Sequence, residues 1–297
     1  MNFIYKIPGY ALIVTGAFFL SWGGLLVREF DSADIWQILF WRAFFFTITL
    51  IIFIYSTYKN EYFSVIKKSG LPGILGGFAM SLGFIAYIFS MTQTTVANVL
   101  FIISTQTIWL AIFSYLFLKE QISLKTLFSI IVAMIGVAVM IGGSLGTGSL
   151  FGNLVALFIP INFAFLILLI RKFTKLDLIP ALFYGGVIVM IIGFYMSKTI
   201  IISPHDLLIS FILGTFQHAC GFICVVIGTR STPAVTVGLL MLSETLLGPF
   251  WVWLFLNEIP PISVFTGGSI ILAAVIFKTL EQKRSNASQL HLIFQRN

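Results

Sequence analysis

Ten apolar stretches, each about 20 residues long, run through this chain at 9–27, 35–56, 71–91, 96–118, 124–142, 151–170, 178–197, 207–227, 235–256 and 262–280. That is the length needed to cross a hydrocarbon layer of ~30 Å. In such a layer the backbone must satisfy its own hydrogen bonds, so runs of this length are helices rather than strands. Water cannot be the only solvent. Of the 297 residues 59% are apolar and 9% charged, against about 25% charged in ordinary soluble domains, and the mean hydropathy is +1.06. The expected fold is an all-α membrane protein of ten transmembrane helices. The stretch from Gly9 to Val27 has no small-residue cleavage site after it and reads as the first membrane helix rather than a signal peptide.

Lysine and arginine set the orientation. With the N-terminus inside, Lys6, Lys59, Lys67, Lys68, Lys119, Lys125, Arg171, Lys172, Lys175, Arg230, Lys278, Lys283, Arg284 and Arg296 all fall inside. Only Arg28 and Lys198 fall outside, and Arg42 lies within a helix. Glu29, Asp31, Asp34, Asp206 and Glu258 fall outside. The expected location is a cell inner membrane, multi-pass, with both termini cytoplasmic. The net charge of +7 is then a topology signal, and no nucleic-acid partner is expected. Cys220 and Cys224, four apart in one apolar stretch, read as packing residues; His218 alone does not complete a metal site with them. Gly142, Gly143, Gly146 and Gly148 read as a loop and not a phosphate cradle, because no strand precedes them. Neither metal nor cofactor is expected.

The two halves repeat. Leu25-Leu26-Val27-Arg28 matches Leu168-Leu169-Ile170-Arg171, and Phe40-Trp41-Arg42-Ala43 matches Phe183-Tyr184-Gly185-Gly186, both at an offset of 143. Tyr115 to Glu120 matches Trp253 to Glu258 at an offset of 138. Residues 1–143 form a first five-helix repeat, 150–280 a second, and 281–297 a cytoplasmic C-terminal tail. Five is odd, so the second half enters the membrane from the opposite side, giving the inverted repeat that many secondary transporters use.

Further residues carry a resemblance: Trp22-Gly23-Gly24, Trp41-Arg42-Ala43-Phe44-Phe45, Thr95-Val96-Ala97-Asn98 and Leu116 to Ser123, with second-half counterparts Thr232-Pro233-Ala234, Ser243-Glu244 and Leu254 to Glu258. From about 9 to 280 the chain resembles a ten-helix, EamA-like member of the drug/metabolite transporter superfamily. The resemblance implies two halves packed around a central cavity of alternating access, and a cargo among amino acids, other metabolites and drugs, often exported. One departure is in the ninth helix, where Thr245 and not proline follows Glu244, with Pro249 later.

Two charges stand deep in helices: Arg42, ~10 Å below the outer end of the second, and Glu244, ~13 Å above the inner end of the ninth, at 1.5 Å per residue. A charge at such depth costs several kcal/mol unless it meets water, a partner or a ligand. The repeat places neutral residues at their mates, Gly185 and Gln106. Arg42 suits a carboxylate; Glu244 suits an amine or a coupling proton. The alternatives are that Arg42 reaches outward to Asp31 or Asp34, or that Arg42 and Glu244 pair. The remaining candidate substrate residues are uncharged or weakly polar: Gln106 and Trp109 three apart on one face, Asn98, Asn162, Gln217, His218 and Trp22. Pro160 and Pro249 each free a carbonyl at membrane depth. Gly73, Gly76, Gly77, Ala79 and Gly83 read as a packing face. No residue is assigned a catalytic role.

The expected function is secondary active transport of a small polar metabolite (an amino acid, or a related zwitterion or amine), with export the expected direction and a coupling proton or sodium ion. The partners are thus the lipid bilayer and a small-molecule substrate. The competing classes are an integral-membrane enzyme and a membrane receptor or assembly factor. Three histidines, at 205, 218 and 291, starve the first, and the absence of a large soluble region argues against the second.

Overall fold

The computed structural model describes residues 3–141, 149–256 and 262–294. The described residues are helical, with no strand among them. In chain order the helices are α1 Gly9–Leu20, α2 Gly23–Arg28, α3 Ile35–Tyr58, α4 Tyr62–Gln93, α5 Val96–Ser104, α6 Gln106–Phe113, α7 Leu124–Ile141, α8 Leu150–Ala156, α9 Phe158–Lys172, α10 Ile179–Met196, α11 Pro204–Phe211, α12 Gly221–Thr229, α13 Ala234–Leu256 and α14 Ile262–Phe294. Wide π-helical turns at Ser114–Leu118 and Ile212–Cys220 follow α6 and join α11 to α12. Seven helical runs are long and apolar enough to cross a membrane; one of them, Ile35–Gln93, holds both α3 and α4. Leu124–Met140 and Ile262–Lys278 are shorter apolar helices.

Several boundaries differ from the sequence reading. The first apolar stretch breaks at Ser21 and Trp22, and the sixth breaks at Leu157, three residues before Pro160. The segment 57–70, between the second and third apolar stretches, is mostly helical: Lys59 turns the chain at φ 47, and α4 starts at Tyr62 and bends at Gly70, where φ is 49, before Pro72 resumes it. The left-handed φ at residue 70 suits glycine, which has no Cβ to clash. α14 continues to Phe294, through most of the stretch read as a tail. The glycine loop at 142–148 and Glu258 lie outside the described residues.

Packing follows the repeat. α1 rests on α12 and α13, while α9 rests on α4 and α6. α3 rests on the π-helical turn at 212–220, and α10 on α4. α3 also meets α10, and α7 meets α14. Exchanging the halves carries each of these contacts onto another of the set. Small residues allow the closest approaches: a Cβ on Gly77 would lie 2.6 Å from the Tyr184 Cβ, and one on Gly185 would lie 2.9 Å from the Gly77 carbonyl. Gly73, Gly76 and Gly77 thus pack, whereas Gly83 borders open space beside Asn162.

Both ends of the bundle are stitched by an aspartate. Asp206 accepts from the backbone N–H groups of Asp31, Ser32 and Ala33 at 2.9, 3.2 and 3.0 Å, which ties the α2–α3 loop to α11. At the other end Asp177 accepts from the Tyr5 and Tyr58 hydroxyls at 2.9 and 2.7 Å and pairs with Arg230 at 3.1 Å. Burial, and then the Asp177 carboxylate, push the Tyr5 phenol above the ordinary tyrosine range. Beside it Glu120 pairs with Arg171 at 2.9 Å and so joins the halves.

Candidate functional site

The site begins with three interruptions of regular helix and one unbroken helix. α1 ends at Leu20, leaving its carbonyl without a helical partner, and Gln217 donates its side-chain N–H to it at 3.0 Å. Gln217 and His218 lie in the π-helical turn, a form often found at functional sites. Both are buried there. α9 begins past the break at Leu157, with Pro160 in its first turn, and presents Asn162 and Phe163. α13 runs through Pro249 without a break and presents Met241 and Glu244.

These elements and α3, α4, α5 and α6 line a mostly apolar cavity of about 60 Å³, measured as the space open to a water's centre. At ~15 Å³ per molecule that is room for roughly four waters. Arg42, Gln106, Asn162, Gln217, His218 and Glu244 line it, together with Leu20, Met80, Gly83, Phe84, Tyr87, Phe222 and others. Six of the nine candidates read from the sequence therefore meet. Asn98 is buried near the start of α5, where its side-chain N–H donates to Thr94 Oγ1 at 3.3 Å. Trp109 stacks edge-on against Phe113 at 6.1 Å. Trp22 lines a separate groove of about 400 Å³ with Leu25, Leu26, Glu29, Trp251 and Phe255. These three do not line the cavity.

Arg42 is 1% exposed. Its Nη2 donates to Gln217 Oε1 at 3.2 Å and to His218 Nδ1 at 2.7 Å. The guanidinium carbon lies 4.3 Å from the Phe84 ring centre and 5.1 Å from that of Tyr87. Its Nε and Nη1 are buried without a partner, as is His218 Nε2. Leaving a buried donor unsatisfied costs about 1–3 kcal/mol, and more when it is charged. Glu244 is 7% exposed.

Both structural alternatives for Arg42 are overturned. It does not reach outward: Asp34 caps α3 through the N–H groups of Trp36 and Gln37, and Asp31 faces His205 at 3.2 Å. Nor does it pair with Glu244, since among the described residues every ion pair within 4.0 Å lies elsewhere. The repeat mates behave differently. Gln106 shares the cavity with its mate Glu244, whereas Gly185, the mate of Arg42, is a packing glycine against α4.

Sequence reasoning missed Phe84, Tyr87 and Phe222, which wall the cavity and touch Arg42 or His218. An aromatic residue in an apolar helix carries no signal separating cavity from lipid, so only the helix register places them. Asp177, Tyr5 and Tyr58 were missed because their partnership joins three distant parts of the chain.

The model of the EamA-like transporter family matches residues 7–142 and again residues 146–280. An uncharacterised transporter of Clostridium kluyveri is 25% identical over 308 residues, covering 94% of this chain and 95% of its own. A protein of known crystal structure superposes with a TM-score of 0.80, at 12% identity, over 93% of this chain and 98% of its own; that likeness shows a shared fold.

Proposed function

The chain belongs to the EamA-like transporter family, and from that premise we propose that it is a secondary active transporter of a small zwitterion, an amino acid or close relative, working by alternating access. It is a multi-pass membrane protein built of two copies of the family unit. In the proposed reading the seven long runs, a second crossing within Ile35–Gln93 and the two shorter apolar helices are taken as ten crossings. In this reading the two five-helix halves are inverted and the protein sits in a cell inner membrane with both termini cytoplasmic. A proton or sodium ion drives export.

One observation carries the proposal. A single buried cavity holds one guanidinium and one carboxylate that do not pair with each other. Two opposite charges in one low-dielectric space would attract strongly if nothing belonged between them. A zwitterion satisfies both, its carboxylate on Arg42 and its ammonium on Glu244, while its body meets the apolar lining. Near-symmetric halves support the mechanism, because exchanging their roles gives two states of similar energy. The groove at Trp22 and Trp251 lies at the α2 end, which the charge pattern places outside.

Uptake into proteoliposomes tests the reading. Leucine should exchange across the vesicle membrane, and Glu244→Gln should lower that exchange at least tenfold while the protein still inserts and melts normally. Unchanged exchange in Glu244→Gln at every pH refutes a role for the carboxylate.

A further inference from the structure

The cavity holds more hydrogen-bond donors than the fold uses. Arginine has only donors, so the 2.7 Å contact from Arg42 Nη2 makes His218 Nδ1 the acceptor. A neutral imidazole with Nδ1 accepting carries its one N–H on Nε2. That nitrogen is buried and has no partner, and the same is true of Arg42 Nε and Nη1. Arg42 and His218 are 1% and 4% exposed and line the same cavity. Gln217 takes up none of these three donors, since its oxygen accepts from Nη2 and its nitrogen serves the Leu20 carbonyl. Phe84, Phe46 and Phe222 hold the imidazole plane, at centroid distances of 4.3, 4.8 and 4.8 Å.

Three donor nitrogens on two adjoining side chains, with no acceptor from the protein, describe a receptor for an oxyanion. The charge of the cavity says which kind. The titratable and charged groups lining it are Arg42 from α3, Tyr87 from α4, His218 itself and Glu244 from α13. One guanidinium set against one carboxylate leaves no excess positive charge for a dianion such as phosphate. The carboxylate end of a small zwitterion fits the donors, while its ammonium against Glu244 keeps the cavity neutral and its apolar body meets the lining.

We infer that the His218 Nε2–H donates to the same cargo carboxylate as the free edge of Arg42, which makes His218 a specificity residue for the anionic end of the cargo. Arg42 thus both holds the anion and sets the histidine tautomer that helps to hold it. The inference rests on the reading of this cavity as the cargo site, but its test does not require transport.

The test is nitrogen NMR of the purified protein carrying ¹⁵N-histidine, with signals assigned by His205→Gln and His291→Gln so that His218 itself stays in place. The expected spectrum shows His218 with a bare Nδ1 and a protonated Nε2. Adding 4-methylpentanoate should move the Nε2 signal, and adding 3-methylbutylamine should not. A proton on Nδ1, or an Nε2 signal unmoved by the carboxylate, overturns the inference. His218→Phe keeps the ring packing and removes the donor. It should weaken 4-methylpentanoate binding roughly 10- to 100-fold, the effect of one charge-assisted hydrogen bond, and leave 3-methylbutylamine unaffected. Equal weakening of both overturns it too. If leucine is not transported but the Nε2 signal answers to the carboxylate, the function proposed above fails and the anion site stands.

Discussion

Arg42→Gln removes one buried positive charge, and the surroundings of that charge set the expected effect. What is lost is the contact with the faces of Phe84 and Tyr87 at 4.3 and 5.1 Å, together about 2 kcal/mol in a desolvated place. Two hydrogen bonds from Nη2, to Gln217 and His218, go as well, at about 1.5 kcal/mol each. What is recovered is the burial penalty of the guanidinium, several kcal/mol, and two orphaned donors disappear with it. No carboxylate is stranded, because Arg42 has no ion pair among the described residues. The opposing contributions are similar in size, so stability should change by no more than about 2 kcal/mol, a shift of a few degrees in melting temperature.

Binding should change far more. A carboxylate held at two points by a guanidinium loses about 1.5–3 kcal/mol for each bond, so its affinity should fall roughly 10²- to 10⁴-fold. The assay is thermal unfolding of the purified variant with and without leucine, and with and without 3-methylbutylamine, which lacks the carboxylate. Ligand binding to the folded state raises the melting temperature according to concentration over Kd. The leucine-induced shift should vanish and any amine-induced shift should remain. A stability loss of about 3–5 kcal/mol, the cost of breaking a buried ion pair, with the leucine shift intact would refute the reasoning.

Two further outcomes follow. Asp177→Asn weakens the bonds from Tyr5, Tyr58 and Arg230 at one end of the bundle and should cost about 3 kcal/mol, given ~1.5–3 kcal/mol for a hydrogen bond to a charged group and less for the half-exposed arginine; it should also lower the Tyr5 pKa. Tyr5 is raised in the folded state, so its contribution is whole below the ordinary tyrosine pKa of ~10 and falls as pH rises past it, and alkaline melts should show a smaller loss in the variant. Lys67→Cys, in a background with Cys220 and Cys224 changed to serine, should resist a membrane-impermeant thiol reagent in intact cells and react in inverted vesicles; labelling in intact cells reverses the orientation.

Much of the fold is legible in hydropathy because a bilayer demands long apolar helices whatever their tertiary partners. What hydropathy does not show is where those helices break. Ser21, Leu157 and the 212–220 turn interrupt regular winding inside uniformly apolar stretches; Pro160 lies behind the break at Leu157, but at Ser21 the freed Leu20 carbonyl is satisfied by Gln217 from 197 residues away, which hydropathy does not show. For the site, the costly residues were the readable ones. Arg42, Glu244, Gln106, Asn162, Gln217 and His218 are polar at depths where a polar group needs a reason, and all six line one cavity. Trp22, Trp109 and Asn98 fall elsewhere because an indole, or an amide near a helix start, is at home in other places too. The Trp22–Trp251 contact, with ring centroids 6.1 Å apart, belongs to the groove.

The departures from symmetry need a physical reason, since the proposed alternation between two states gains from halves that match. Gly185 shows that the position of Arg42 is not polar by design of the fold: in the second half the same place is a bare contact between α10 and α4, with Met80 atoms 2.9 Å from where a Cβ would stand. An arginine there would force those helices apart. In the first half the corresponding partner of α3 is the π-helical turn at 212–220, which brings Gln217 and His218 to the guanidinium. That contact is close as well, since a Cβ on Gly214 would lie 2.8 Å from the Phe45 Cβ, and the Arg42 side chain goes to the cavity rather than between the two backbones. The scaffold thus keeps its exchangeable packing, while the charge asymmetry comes from Arg42 on α3 and Glu244 on α13; in the proposed reading that pair gives the cargo an orientation.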